Sequence, residues 1–519
     1  MTLERRAWII ARGLAVLLVL ASLQGAYWQL WRGRALQPVV LDPVGAAREY
    51  ARLRGEPAVD SQDGQLLGMA DLPRPVIQRT VRMLSGIQRG TIYDRAGILL
   101  AEDQGAPGDY RRIYYEPSLA HVIGYTSALR TGINGLEAAY NDSLLGLDRL
   151  DTEIDRIMHR PFQGSSLVLT IDRRIQTAAA QALDGRPGAV IVLDGHSGAV
   201  LAMTSTPSYD PNLISTPGYI ASLSEGALVN RATQGLFTPG STYKTVTLIT
   251  ALETGQVEPD TVIDFGEPRK TAEGRIYYVY EVDGGQIIDP NHDQSRLDIT
   301  QSFVYSANIT FAKIGNEMDP DVMIEYAARM GFSDENYPRR FPVELPVSVP
   351  QLANDPESIR TNNLLRAHTA YGQGELLTTP LNMAMIVQAV VNEGAVPIPY
   401  LVESIRSPQN EILRATPNGH TTREFMSAET ANQVKEMMIA AVQHTYRDGM
   451  VGPGILAGGK TGTAQLGGDL EPHSWFVGFA EQGDWNVVIA VLLENGGSAR
   501  NAMVAWQVVA KAAAEARQP

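Results

Sequence analysis

The sequence predicts a mixed α+β domain, with a central antiparallel sheet built from both ends of segment 166–517 and a helical cluster inserted between. Three observations predict it. GAVIVLDGHSGAVLAMTS, from residue 188, reads as two apolar strands around a turn at Asp194–Gly198, a hairpin. Near the other end, HSWFVGFA and DWNVVIAVLLENG are apolar strands joined by the polar turn 481–484, and NAMVAWQVVAKAAAEA closes the chain as a helix. Between them lie helical patterns at Thr242–Glu253, Asp298–Glu317, Pro380–Asn392 and Ala428–Gln443. The third has proline at its first position and Gly394 just past its end.

The elements before this domain divide in two. Residues 7–31, AWIIARGLAVLLVLASLQGAYWQLW, are apolar apart from Arg12, Ser22, Gln24 and Gln29. As a helix they would span about 37 Å, enough for a bilayer. Tyr27, Trp28 and Trp31 sit at the far end like an interfacial belt. The strongest apolar run, 13–23, is also the length of a signal-peptide core, but no clean small-x-small cleavage site follows. A transmembrane anchor is therefore expected, with orientation unsettled by charge because Arg5 and Arg6 precede it and Arg32 and Arg34 follow. Residues 32–165 are expected to form a linker and small N-terminal module. It holds a short helix near 44–53, a strand entering an Asp-Arg-x-Gly turn (RGTIYDRAG, 89–97), and a glycine-punctuated loop before a helix (121–141). From residue 166, SSLVLTID is an alternating strand and RRIQTAAAQALDG a helix ending at glycine.

Composition removes several function classes. The net charge is -14 with no long basic run, so nucleic-acid binding has no electrostatic support. There is no cysteine, which excludes disulfides, thiol nucleophiles and cysteine-ligated metals and fits an exported bacterial protein. The eight histidines are scattered without an HExxH pattern, so neither metal nor cofactor is expected.

Three short motifs carry chemistry. Ser241-Thr-Tyr-Lys244 follows Thr-Pro-Gly and opens an apolar helix, placing Ser and Lys on one helical face beside backbone N–H donors. Alone it is weak, since roughly one or two S-x-x-K matches arise by chance in such a chain. Ser306-Ala-Asn308 falls in the helical region and by itself is an ordinary polar surface. Lys460-Thr461-Gly462-Thr463 opens the first C-terminal strand, where glycine lets a substrate backbone approach closely. A competing match spans Gly454–Thr461, G-x-x-x-x-G-K-T, a phosphate-binding loop. That motif needs a helix starting at the lysine, and TAQLGGD is poor helix sequence.

Taken together, the three motifs resemble the S-x-x-K, S-x-N and K-T-G set of penicillin-binding proteins and serine β-lactamases. RGTIYDRAG resembles the RGxIxDRxG motif of class B, monofunctional penicillin-binding proteins, and Gly135-Leu-Glu137 resembles their GLE element. Residues 188–212, 371–384 (YGQGELLTTPLNMA) and 473–480 are similar to further family stretches. The short N-terminal module is most like compact actinobacterial members, and there is no room for a glycosyltransferase domain between anchor and catalytic domain. His196 stands where threonine is more usual, read as turn variation without functional cost.

The resemblance implies a penicillin-binding/serine β-lactamase-like fold over 166–517 and a peptidoglycan D,D-transpeptidase that takes D-Ala-D-Ala stem peptides and is acylated by β-lactams. It implies Ser241 as nucleophile, Lys244 as its base, Ser306 as proton relay and Asn308 as the residue holding Lys244 and a substrate amide. Lys460, Thr461 and Thr463 would dock the substrate carboxylate, Gly462 would belong to the same substrate-binding strand, and the N–H groups of Ser241 and Thr463 would form the oxyanion hole. No cofactor or metal enters. The catalytic domain would lie outside the cytoplasmic membrane of a bacterium, single-pass, with glycan polymerisation left to a SEDS-type glycosyltransferase partner. A D,D-carboxypeptidase shares the same motifs. A serine β-lactamase would need a deacylating base that the sequence does not offer. A non-enzymatic β-lactam sensor or scaffold is a further alternative. Residues 256–297, a polar insert ending in DPNHDQ, carry no reading beyond a loop or a rim of the cleft.

Overall fold

The computed structural model describes residues 86–126, 132, 134–149, 163–290, 292–416, 422–445, 450–468 and 470–517. The anchor expected at 7–31 and the short helix expected near 44–53 lie outside them. Among the described residues no helix is long and apolar enough to cross a membrane.

In chain order come the strands β1 (Ile92–Tyr93), β2 (Leu99–Gln104), β3 (Arg111–Tyr114) and β4 (Ser166–Leu169). Helix α1 (Arg173–Leu183) and the hairpin β5 (Gly188–Asp194) and β6 (Val200–Thr206) follow, then α2 (Lys244–Glu253). A second hairpin, β7 (Ile276–Val282) and β8 (Gly285–Asp289), precedes α3 (Ile299–Val304), α4 (Asn308–Glu317), α5 (Asn363–Ala370) and α6 (Pro380–Val391). Next are β9 (Val402–Arg406), β10 (Ile412–Ala415) and α7 (Ala428–Thr445). The chain closes with β11 (Leu456–Ala464), β12 (His473–Gln482), β13 (Trp485–Leu493) and α8 (Ala499–Ala516).

The central sheet has the order β11-β12-β13-β5-β6 and is antiparallel throughout. Strand β13 pairs with β5, Val487 opposite Asp194 and Leu493 opposite Gly188, so the two ends of the catalytic segment meet in its middle. These strands are near-continuous apolar runs because both faces are covered. Ala189, Ile191, Leu193, Val488, Ala490 and Leu492 join one apolar cluster with Leu248 of α2 and Ile386 of α6. Their alternates Val190, Val192, Ile489 and Val491 join another with Ile175 of α1 and Trp506 and Val509 of α8. Alternation of period two thus sorts one strand between two cores. Trp506 Nε1 donates to the Ile489 carbonyl at 3.1 Å, satisfying the one polar atom of that buried ring. The mixed architecture with its antiparallel sheet is as the sequence predicts.

The Asp298–Glu317 stretch corrects the reading of one helical segment. Asp298 and Gln301 form a reciprocal capping box that starts α3. The helix ends at Val304, Ser306 two residues on adopts a left-handed φ of 59°, and Ala307 N–H turns back to the Ser302 carbonyl at 2.9 Å. Periodicity runs on through the break, so the pattern alone does not mark it. His196 lies exposed in the β5–β6 turn, where Asp194 Oδ1 accepts from its N–H at 3.2 Å and from Ser197 N–H at 2.8 Å.

A second sheet, ordered β10-β9-β4-β1-β2-β3, combines strands from residues 92–114 with strands from 166–169 and 402–415. Asp94 makes the Asp-Arg-x-Gly turn: its Oδ1 accepts from Ala96 N–H at 2.9 Å and Ile98 N–H at 2.7 Å. Behind this sheet the side chains of Arg89, Arg112 and Glu137 are buried together. Arg89 Nε meets Glu137 Oε2 at 2.5 Å, and Arg112 Nε meets Glu137 Oε1 at 2.7 Å. Asp103 Oδ2 accepts the Arg89 N–H at 2.7 Å. Burial pushes the Glu137 carboxyl up, but Arg112 and Arg89 more than offset it and hold it below the ordinary carboxylate range.

Candidate active site

Ser241 sits half-buried in a 3₁₀ turn, Gly240–Tyr243, that runs directly into α2. The turn is pinned by Thr242 Oγ1 donating to the Pro239 carbonyl at 2.8 Å and by Trp475 Nε1 donating to the Thr238 carbonyl at 3.0 Å. One face of the turn touches β11. A Cβ on Gly462 would stand 2.7 Å from the Pro239 carbonyl oxygen, so only glycine lets the strand come this close. The other side touches Gly372, at φ +93°, whose Cβ would fall 1.7 Å from the Gly240 oxygen. Gly372→Ala combines overpacking with a strained backbone. It is expected to destabilise the fold by about 1–3 kcal/mol and to slow acylation of Ser241, checked by thermal melting and by the labelling rate with a fluorescent penicillin.

Lys244 lies one turn on and is fully buried. Its Nζ donates to the Ser306 carbonyl at 2.6 Å and to Asn308 Oδ1 at 2.8 Å, with Ser306 Oγ at 3.2 Å. The left-handed turn at Ser306 makes this possible, because it follows the end of α3 and aims the 306–308 backbone at the lysine. Lys460, from the middle of β11, is 2 % exposed and stands 5.5 Å from the Phe303 ring centroid. Burial and the nearby charge of Lys460 push the Lys244 amine well below its ordinary value, against an opposing pull from Asp289. Burial brings Lys460 down to about 7. Two amines, both poor at holding a proton, therefore flank the serine turn.

Ser241, Ser306, Asn308, Thr461 and Thr463 line one cleft of about 810 Å³. Lys244 and Lys460 lie buried beside it, and Gly462 packs under the serine turn. The structure thus brings together every residue singled out from sequence. One placement differs. The K-T-G tripeptide does not open its strand: β11 starts at Leu456, and Lys460 pairs with Val477 in mid-strand. That geometry also removes the phosphate-loop reading, since Gly458–Thr461 form strand and no helix starts at Lys460.

Sequence reasoning missed part of the wall. The unassigned insert folds as the β7–β8 hairpin, with its own apolar cluster of Phe265, Tyr278, Ile287 and Leu297 against Ile309 and Ala312 of α4. Gln286, Ile287, Ile288 and Pro290 line the cleft opposite the serine. Asn308 Nδ2 donates to the Ile288 carbonyl at 3.2 Å, tying this wall to the motif. His368, Tyr371 and Gln373 form another side, Tyr371 Oη meeting His368 Nδ1 at 2.9 Å. The aromatic and β-branched run Ile276–Val282 followed by Asp283-Gly284 was the available signal for the hairpin. Among the described residues no cluster of His, Cys, Asp or Glu could hold a metal ion.

Residues 188–514 match the family described as the penicillin binding protein transpeptidase domain. The peptidoglycan D,D-transpeptidase PbpA of Mycobacterium tuberculosis (strain H37Rv) is 31% identical over 435 residues, 79% of this chain and 84% of that one. Among solved structures, penicillin-binding protein A from M. tuberculosis, a ceftriaxone acyl-enzyme complex, is similar with a TM-score of 0.72 at 28% identity, over 84% of this chain and 100% of that one. The D,D-transpeptidase domain of a peptidoglycan glycosyltransferase from Eggerthella lenta has a TM-score of 0.71 at 31% identity, over 83% and 99%.

Proposed function

Since the chain belongs to the penicillin-binding protein transpeptidase family, as a class B-like member, we propose that it cross-links peptidoglycan stem peptides through an acyl-enzyme on Ser241. The observation that carries the residue assignment is the pairing of a half-buried serine with a buried lysine whose amine is held at Ser306 and Asn308.

Ser241 Oγ attacks the carbonyl carbon between the two terminal D-alanines while its proton passes to neutral Lys244. The oxyanion is held by the N–H groups of Ser241 and Thr463, each such donor contributing about 3 kcal/mol in well-studied cases. The tetrahedral centre collapses, the C–N bond breaks, and the departing D-alanine amine takes a proton through Ser306. An amine of a neighbouring peptide then attacks the ester, loses its proton along the same route and regenerates Ser241. Asn308 orients Lys244 and the substrate amide. Lys460, Thr461 and Thr463 bind the terminal carboxylate, with Gly462 leaving room for the peptide backbone. Because burial brings Lys460 to about 7, its charge is weakest above neutral pH, and carboxylate binding favours the charged form. A β-lactam presents the same carboxylate and carbonyl and acylates Ser241.

The domain limits belong to this reading: an anchor at 7–31, a non-catalytic module and linker at 32–165, and the transpeptidase domain at 166–517. The apolar run with its terminal Tyr27, Trp28 and Trp31 supports a single-pass anchor in the bacterial cell membrane. A substrate outside the membrane supports an extracytoplasmic catalytic domain. The absence of sequence room for glycan polymerisation supports a SEDS-type glycosyltransferase partner, by family analogy.

The test against the carboxypeptidase reading uses a donor peptide ending in D-Ala-D-Ala and a peptide amine acceptor. Formation of the cross-linked product alongside D-alanine release is expected. Hydrolysed donor alone, at saturating acceptor, contradicts the proposal.

A further inference from the structure

The buried end of the β8 wall holds a carboxylate–imidazole pair that the reaction above does not use. Asp289 is fully buried, and its Oδ2 accepts the N–H of Ile309 at 3.1 Å, in the first turn of α4. One residue earlier, the Ile288 carbonyl accepts from the Asn308 amide at 3.2 Å. The end of β8 therefore grips Asn308 through both its side chain and the following backbone N–H, while Asn308 Oδ1 faces Lys244. Behind Asp289 stands His292, its side chain 1% exposed and its Nε2 3.8 Å from Asp289 Oδ2. The ring stacks on Tyr278 at 5.4 Å and meets Phe265 edge-on at 4.4 Å. Nδ1 has no hydrogen-bond partner among the described residues, and Nε2 has only the long approach to Asp289. A buried imidazole in that state costs about 1–3 kcal/mol, so its retention against a carboxylate asks for a reason.

We propose that Asp289, backed by His292, is a positioning residue for the acylation step: it holds Asn308 in place and supplies a buried negative charge on the Lys244 side of the cleft. The charged groups facing Lys244 are Lys460 from β11 and Asp289 from β8, and Asp289 in turn faces His292 and Lys244. A negative charge there favours the charged lysine and delays its release of the proton as pH rises. Burial pushes the Asp289 carboxyl up, while His292, Lys244 and the Ile309 N–H outweigh it and keep the group ionised. The site thus carries two amines and one carboxylate in a desolvated space, and the carboxylate opposes the burial and the Lys460 charge that make Lys244 give up its proton.

The inference rests on Lys244 acting as the base. The experiment measures the second-order rate of acylation by a fluorescent penicillin from pH 5 to 10, on the full chain, for wild type, Lys244→Met and Asp289→Asn. Asparagine still accepts the Ile309 N–H but carries no charge. Its rising limb is expected about one pH unit lower than wild type, giving a higher rate than wild type relative to each plateau at acid pH. A uniform loss at every pH, with the limb unmoved, overturns the proposal and leaves Asp289 a structural residue. If Asp289→Asn fails to fold, His292→Phe replaces it, keeping the ring stacking and removing the nitrogen behind the carboxylate. A smaller shift in the same direction is expected, and an unmoved limb again overturns the pair's role. Failure of the base assignment looks different: Lys244→Met would then retain the wild-type limb.

Discussion

Lys244→Met slows acylation of Ser241 by about 10²- to 10⁴-fold, the range for loss of a positioned general base. Methionine fills similar volume without an amine, so the cleft keeps its shape and the loss belongs to chemistry. The pH dependence carries the sharper signature. In the wild type the rate rises as Lys244 loses its proton, well below the pH at which an exposed lysine would do so; the variant lacks that limb. Stability follows the same group. The folded amine releases its proton at lower pH than the unfolded one, so unfolding takes up a proton between the two values. Wild-type stability therefore rises with pH across that interval. Lys244→Met reduces the slope, and Lys460, shifted in the same direction, retains its own share. Stopped-flow labelling and denaturant unfolding at several pH values check both statements.

Glu137→Ala is expected to destabilise the fold by about 3–5 kcal/mol, because it strands two buried guanidinium groups. Arg89 Nε and Arg112 Nε each lose a carboxylate partner, at 2.5 and 2.7 Å. Removing all four charges together, as Arg89→Met, Asp103→Asn, Arg112→Met and Glu137→Leu, is expected to cost far less than the single change, since the buried Asp103 carboxylate that faces Arg112 at 3.7 Å is neutralised as well and no charge is left unpaired. Glu137 also has a pH signature. Its folded carboxyl sits below its unfolded value. The stabilisation is therefore complete above the unfolded carboxylate value and is lost as pH falls through the folded one. Denaturant unfolding from pH 7 down to pH 3 should show wild type converging on Glu137→Gln at the acid end. Parallel curves would remove this ion cluster from the account.

That cluster shows how unevenly the sequence exposes its physics. RGTIYDRAG and Gly135-Leu-Glu137 are recognisable as family marks, yet no periodicity or spacing says that they meet. In the fold Arg89 and Glu137, 48 positions apart, are in direct contact. The central sheet was more legible, since its strands are short apolar runs bounded by turn residues and their alternation survives in the two cores. Ser241, Lys244 and Lys460 were legible because their motifs are compact. Ser306 was placed in a helix because apolar spacing continues across it, and its left-handed backbone leaves no mark in the pattern. Asp289 and His292 were hidden more thoroughly. They lie near the end of a polar insert that reads as a loop or a rim of the cleft, and the β7–β8 hairpin brings them inward.

The most direct test of the central claim is the site of the covalent adduct. The purified chain is incubated with penicillin, digested and mapped by mass spectrometry, with Ser241→Ala alongside. The account predicts one penicilloyl group, on the peptide carrying Ser241, and none in the variant. An adduct on another residue, or one that survives in Ser241→Ala, would contradict it.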